Sequence, residues 1–315
     1  MPARRLLRIG DLSPADVDAL LDAALWYFPH IAAGELKLTT LRGFSTLLMF
    51  FEPSTRTRVS FELAGKLLGS DTISVTSSGS SVEKGESVVD TAQTLSAMGF
   101  HIAVVRHRSA DSVELFAEHF AGAVINGGAG RGEHPTQALL DAAVLTRAGM
   151  LEAGRHLAIA GDILHSRVAR SNIALLTSRG VKVTLVAPPP LMPPAWRAEP
   201  PTGTVWETDL DRVLPEIDAV MMLRMQRERM GGGMLPPADE YSALYGLDAR
   251  RLRLLRPDAV IMHPGPVNRG VEVVEAVFAD SRCRINEQVT MGVALRCALL
   301  CWACGRPLIP EEGGL

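Results

Sequence analysis

No segment of this 315-residue chain holds the roughly 18 consecutive apolar residues that a membrane span requires, and the N-terminal MPARRLLRIGDLSPADV lacks an apolar stretch of signal-peptide length. A cytoplasmic protein with no membrane partner is therefore expected. Blocks of like charge are missing as well: the formal net charge is -3 and the arginines are scattered, which removes the electrostatic footprint of a general nucleic-acid binder. Any anion the protein holds should be small. The chain shows no internal repeat and no zinc-binding tetrad. A dinucleotide cofactor is disfavoured on the same kind of ground, because AGDILHS (160–166) offers one glycine where a pyrophosphate-binding turn needs three. Neither a cofactor nor a metal is expected.

Cysteine is scarce, with only Cys283, Cys297, Cys301 and Cys304. The last three have the C-x3-C-x2-C spacing that can hold an iron–sulfur cluster. That spacing is also i, i+4, i+7 on a helix. The residues lie in MGVALRCALLCWACG, where an apolar helical stripe would pack small free thiols as hydrophobes, so core thiols are the preferred reading. No structural disulfide is expected in a cytosolic chain.

What the chain does have is apolar content, 47% of its residues, enough for two domains that each bury a core. Short β-rich runs alternate with helical patterns: STLLMFFE, DTISVTS, HIAVVRH and GAVING, then RHLAIAGD, VKVTLVAP, DAVMMLR and DAVIMHP. The fold class this predicts is α/β, with two doubly wound parallel-sheet domains of four strands each and a C-terminal helix returning to the first domain. The break is placed near TRAGMLEAGR, where a helix from His134 ends at Gly149 and a strand begins at His156. This gives one domain of residues 1–149 plus 284–315 and another of 150–283. Pro-rich APPPLMPPAWRAEPP (187–201) and Gly-rich MGGGMLPP (230–237) read as surface loops.

Ligands of such sheets bind beyond the carboxyl ends of the strands, so the residues just after each strand carry the functional expectation. After STLLMFFE, Ser54, Thr55, Arg56 and Thr57 open a helix whose first N–H groups have no partner within it, which makes a ready phosphate site. An ordinary N-cap would need Ser54 or Thr55 alone. Arg58 reads as a structural ion-pair partner. Arg106 follows HIAVV, and in GEHPTQALLD the position of Pro135 makes His134 a helix cap and Gln137 the third helical residue. Arg167 follows LAIAGD, Arg224 and Gln226 follow DAVMML, and HPGP (263–266) follows DAVIM with its carbonyls exposed in a turn. The Ser/Gly-rich TSSGSSVEKGESVVD (76–90) reads as a solvated loop carrying Lys84. Any one of these arginines would be unremarkable at a strand end, but Arg56, Arg106, Arg167 and Arg224 all fall on the predicted ligand edge.

Together S-T-R-T-R at 54–58, V-E-K-G-E at 82–86, H-P-T-Q at 134–137, G-D-x-x-x-S-R at 161–167, R-x-Q at 224–226 and H-P-G-P-V-N-R-G at 263–270 resemble the catalytic chains of the aspartate carbamoyltransferase family. The resemblance runs from about residue 5 to 305. It implies an enzyme, a transferase that joins carbamoyl phosphate to the amine of L-aspartate in de novo pyrimidine (UMP) biosynthesis, with the first domain binding carbamoyl phosphate and the middle domain aspartate.

By resemblance, Ser54, Thr55, Arg56, Thr57 and Arg106 bind the phosphate, and Thr57, Arg106 and His134 polarise the carbonyl oxygen. Gln137 and the carbonyls of Pro264 and Gly265 hold the carbamoyl NH2, with Pro266 shaping the turn. Arg167, Arg224, Gln226 and Lys84 take the aspartate carboxylates. Family members are homotrimers, so Ser80 and Lys84 are expected to act in an adjacent subunit's site. A separate regulatory chain or a dihydroorotase is a possible further partner. Two departures stand out: Ala129 replaces an acid in the loop before H-P-T-Q, and Val168 stands where some members have Thr. The alternatives are a carbamoyltransferase for ornithine or another amine acceptor, or a non-catalytic anion-binding protein. Arg224 and Lys84 favour a dicarboxylate.

Overall fold

The computed structural model describes residues 3–76, 85–226 and 237–310. Ser80, Lys84 and most of MGGGMLPP lie outside the described residues. The chain divides into two compact units, one formed by the residues up to Ala143 together with those from Val289 onward, the other by Val144–Gln288.

The first unit is built on strands β1 (Arg5–Leu6), β2 (Ser45–Phe50), β3 (Asp71–Thr76), β4 (Ile102–His107) and β5 (Ala123–Ala129), all parallel, in the order β1-β5-β4-β2-β3. Thr46–Phe50 and all of β5 are buried, the signature of parallel strands covered on both faces. Leu47, Met49, Val105 and Val124 pack with Val113, Phe116 and Phe120 from the helix Asp111–His119 and its exit. Each such side chain contributes about 1.5–3 kcal/mol by leaving water. The helix Pro14–Ala33 starts on a reciprocal Ser13–Asp16 capping box and stops at Gly34, whose φ is +74°.

The C-terminal helix Ile285–Ala303 returns to that first helix as expected: Trp302 Nε1 donates to Asp16 Oδ1 at 3.1 Å, and Cys301 Sγ lies 3.8 Å from Tyr27 Oη. Cys297 and Cys301 are buried among apolar neighbours as the core reading required, and all four cysteines are free.

The second unit contains β6 (His156–Ala160), β7 (Lys182–Val186), β8 (Thr204–Glu207), β9 (Ala219–Met222) and β10 (Val260–Met262), parallel in the order β10-β9-β6-β7-β8. Among the described residues each sheet thus has five strands, not four. The two-residue β1 is too short to show a period, and β8 is an incompletely buried edge strand in a Pro-rich neighbourhood. Residues 187–201 are likewise not simply surface loop. They form a short 3-10 turn at Pro189–Leu191 and a helical turn at Pro194–Ala198, with Leu191 and Met192 buried, because proline starts helical turns readily.

Both sheets have one place where successive connections run to opposite sides. In the first unit it lies between β2 and β4, in the second between β6 and β9. The residues that leave these four strand ends are the ones that an open α/β sheet offers to a ligand.

Candidate active site

At the β2/β4 switch point, Phe50 and Arg106 are register partners. Arg106 spans the switch: its Nη2 lies 2.7 Å from Glu52 Oε1, and its Nη1 donates to the Gly127 carbonyl at 3.2 Å. A guanidinium planted between two strand ends is held in plane by these contacts, leaving its fork geometry defined for an oxyanion.

The helix Thr55–Leu67 begins directly after β2. Ser54 is its N-cap in an extended conformation, yet its side chain makes no capping hydrogen bond. Thr55 and Arg56 are exposed and Thr57 is buried. Arg58 turns along the helix to Glu62, 3.9 Å away, matching its expected structural role. After β5, the helix Pro135–Arg147 starts with His134 as cap, its carbonyl accepting from Gln137 N at 2.9 Å. His134 and Gln137 are both buried. Thr136 Oγ1 lies 3.3 Å from His134 Nδ1.

The first turns of these helices carry no acidic residue, whereas the helices Pro14–Ala33, Val88–Ala97 and Asp111–His119 of the same unit carry Asp16, Asp90 and Asp111 there. A carboxylate in the first turn neutralises the positive end of the helix dipole. Its absence at the two helix starts that flank Arg106 leaves that potential for a bound anion.

At the β6/β9 switch point the strand ends come close enough to require glycine: a Cβ on Gly161, whose φ is +129°, would lie 2.8 Å from the Leu223 carbonyl oxygen. The following Asp162 is fully buried. Its Oδ1 accepts from His165 N at 3.1 Å and lies 2.9 Å from His165 Nδ1, while Gln226 N points at Oδ2 from 3.4 Å. Gln226 Nε2 donates to the His165 carbonyl at 3.2 Å, so the segments after β6 and β9 are tied together. Burial raises the Asp162 carboxyl above its ordinary range, partly offset by His165 and the backbone N–H groups. Arg167 is buried as the first residue of the helix Arg167–Ser178, again with no acid in the first turn, and Ser166 caps that helix by accepting from Ala169 N at 3.1 Å. Arg224 is half-buried.

The HPGP turn follows β10. His263 Nδ1 accepts from Gly265 N at 2.8 Å and its main-chain N–H donates to Gln288 Oε1 at 2.9 Å, which pins the turn. Pro264 and Gly265 are half-buried and Pro266 is exposed. Asn268 Nδ2 reaches the Met225 carbonyl at 3.4 Å, linking this turn to the Arg224–Gln226 segment.

The first unit therefore gathers Ser54, Thr55, Arg56, Thr57, Arg106, His134 and Gln137 on the ends of β2, β4 and β5 and the helices they feed. The second gathers Arg167, Arg224 and Gln226 at its switch point, with Pro264, Gly265 and Pro266 on the neighbouring strand. Two supports were not anticipated. Glu52 anchors Arg106, and Asp162 anchors His165 and Gln226. Both acids stand two residues past a strand end, where ligand-facing residues are expected, so the signal is present in the sequence. The departure at Ala129 is accommodated: Ala129 is buried with Val105, Val113 and Phe116, and its loop is held by Asn126, which accepts from Gly128 N at 2.7 Å and donates to the Leu7 carbonyl at 2.7 Å.

Among the described residues no group of three or more His, Cys, Asp or Glu is placed to hold a metal, and no helix is long and apolar enough to cross a membrane. Residues 4–147 match the family model described as aspartate/ornithine carbamoyltransferase, carbamoyl-P binding domain, and residues 153–303 match its Asp/Orn binding domain. The chain belongs to the aspartate/ornithine carbamoyltransferase family. Within that family it is 50% identical over 301 residues to a protein of Acidiphilium cryptum named aspartate carbamoyltransferase catalytic subunit, covering 95% of this chain and 96% of that one. A protein of the same name from Desulforudis audaxviator is 48% identical over 300 residues, covering 95% and 97%. Among solved structures, aspartate transcarbamoylase from Trypanosoma cruzi in complex with carbamoyl phosphate and aspartate superposes with a TM-score of 0.86 at 31% identity, covering 96% of this chain and 97% of that one.

Proposed function

We propose that the chain is an aspartate carbamoyltransferase, which condenses carbamoyl phosphate with L-aspartate to N-carbamoyl-L-aspartate and phosphate, in the cytoplasm and as a step of de novo pyrimidine synthesis. The observation that carries this reading is the set of donors around Arg106: two acid-free helix starts flank a guanidinium held across a switch point. The names and ligands of the relatives support aspartate as the acceptor.

In this reading Ser54, Thr55, Arg56, Thr57 and Arg106 bind the phosphoryl group. The neutral α-amine of aspartate attacks the carbamoyl carbon, negative charge grows on the carbonyl oxygen, and Thr57, Arg106 and His134 stabilise it. The C–O bond to phosphate then breaks and the amine proton leaves with the phosphate. A single donor aimed at such an oxyanion is worth about 3–4 kcal/mol, and no protein nucleophile is needed. Gln137 and the carbonyls of Pro264 and Gly265 accept from the carbamoyl NH2, with Pro266 shaping the turn, while Arg167, Arg224 and Gln226 take the two carboxylates of aspartate.

A homotrimer completes the proposal, with Ser80 and Lys84 acting in an adjacent subunit's site. Its support is the surface around β3, an edge strand with no buried residue, where Ile73 is 50% exposed and the nearby helix Thr55–Leu67 exposes Val59 and Leu63. A regulatory chain or a dihydroorotase would bind as a separate polypeptide.

The test is a colorimetric assay of the ureido product with aspartate and with ornithine. Carbamoyl-aspartate with negligible carbamoyl-ornithine is expected. Product from ornithine, or binding of carbamoyl phosphate with no turnover, would replace this reading with an ornithine-specific or a non-catalytic one.

A further inference from the structure

The strongest unexplained feature of the first unit is a pair of buried opposite charges just behind Gln137. Asp141, one helical turn after Gln137, has no exposed surface, and Gln137 Nε2 donates to its Oδ1 at 2.9 Å. Arg296 comes from the C-terminal helix, is 4% exposed, and is attracted by the Asp141 charge. Its Nη1 donates to the Gly292 carbonyl at 2.7 Å and its guanidinium carbon sits 5.1 Å from the centre of the Phe61 ring. Burial, with the Arg106 charge adding to it, lowers the Arg296 pKa to about 9, still on the charged side at neutral pH. The guanidinium packs directly against Gly292, where a Cβ would lie 2.6 Å from Arg296 Nη1.

Keeping two charges out of water is costly unless the arrangement serves a purpose or is fully compensated. The chemistry of a carboxamide supplies that purpose. A primary amide has one accepting and one donating end, and an ionised carboxylate can only accept. Asp141 therefore forces the NH2 end of Gln137 toward itself and leaves Oε1 as the end that faces away. Without a fixed acceptor behind it, either end of the amide could face the ligand.

We infer that Asp141, backed by the buried charge of Arg296, is a positioning and specificity residue: it orients the Gln137 amide so that its oxygen accepts from the NH2 of carbamoyl phosphate, and so selects a carbamoyl over an acetyl group. This rests on the proposed binding of carbamoyl phosphate in this unit. Asp141 and Arg296 touch no reacting atom in this scheme. Acetyl phosphate carries the same phosphoryl and carbonyl groups but a methyl in place of the NH2, so it cannot report on that one hydrogen bond.

The experiment compares dissociation constants of carbamoyl phosphate and acetyl phosphate, by titration calorimetry, in the parent protein and in Asp141→Asn. Asparagine can present a donor as well as an acceptor, so it no longer dictates the amide's direction. Carbamoyl phosphate should weaken about tenfold, in line with one lost hydrogen bond, and acetyl phosphate less than about twofold. Should Asp141→Asn not fold, Gly292→Ala carries the same comparison: it favours the helix while displacing the Arg296 guanidinium, and a smaller loss, again confined to carbamoyl phosphate, is expected. Equal losses for the two acyl phosphates, or no change in either variant, would overturn the inference. A parent protein that bound neither acyl phosphate would instead remove the functional reading on which it rests.

Discussion

Arg106 Nη2 and Glu52 Oε1 lie 2.7 Å apart across the switch point of the first sheet, with their side chains only 12% and 13% exposed. An anion that binds at Arg106 must therefore share a guanidinium that already serves a carboxylate. The pair has a structural part and a functional part, which can be separated. Arg106→Met should abolish measurable phosphate binding and also lower stability by about 1–3 kcal/mol, because Glu52 is left half-desolvated without its cation. Adding Glu52→Gln should restore much of the stability and none of the binding. Chemical denaturation and calorimetry on the single and double variants check this, and recovery of phosphate binding in the double variant would contradict a direct role for Arg106.

Thr57 is the buried member of the S-T-R-T turn, and its hydroxyl is assigned to the growing negative charge. Thr57→Ala should reduce kcat by about a hundred- to a thousandfold while the KM for aspartate changes little, the pattern of a donor used in the transition state. Full turnover in that variant would move the oxyanion role elsewhere.

Much of this arrangement is legible in the sequence because it is written in strand ends and helix starts. Eight strands show as apolar runs, and His134 declares itself a cap through Pro135. The supporting acids are harder to see. Glu52 follows a strand like any solvated glutamate, and Asp141 sits in an ordinary helical repeat; only the fold shows Glu52 half-buried against Arg106 and Asp141 fully buried. Arg296, a lone charge in the otherwise apolar MGVALRCALLCWACG, is the sequence signal that could have pointed to a buried partner. The edge strands β1 and β8 escaped for the opposite reason, since neither is long or buried enough to leave a pattern.

Asp162 gives a dependence on pH. Burial raises its carboxyl, so the folded protein holds that proton more tightly than the unfolded chain does, and stability is lost as pH rises from the ordinary carboxylate range through the folded value. Asp162→Asn removes this dependence. The melting midpoint of the variant, measured against the parent, should therefore improve as pH rises above the ordinary carboxylate range. Because Gln226 and His165 lose their anchor, the KM for aspartate should rise while carbamoyl phosphate binds as before. A midpoint difference that is flat or declines over this range would show that Asp162 is not held with a raised pKa.

The thiols of the last helix should be silent in the folded state. Burial pushes Cys301 up to about 11 and Cys304 up to about 12, and raises Cys297 as well. Since only thiolates react with disulfide reagents, Cys297 and Cys301 should be labelled at neutral pH only after denaturation, and protein purified in air should carry no iron–sulfur absorbance. Rapid labelling of either residue in the native protein would speak against the packed stripe.

The contact between Trp302 and Asp16 sets an order of events during synthesis. The first unit needs a helix that leaves the ribosome only after the whole of the second unit, so at about 5–20 residues per second its early segments must wait for many seconds before that partner arrives. The unit Val144–Gln288 is continuous and has no such delay. Maturation should thus run from the middle of the chain outward, and a released chain truncated just short of Val289 should display a protease-resistant interior fragment attached to a protease-sensitive beginning.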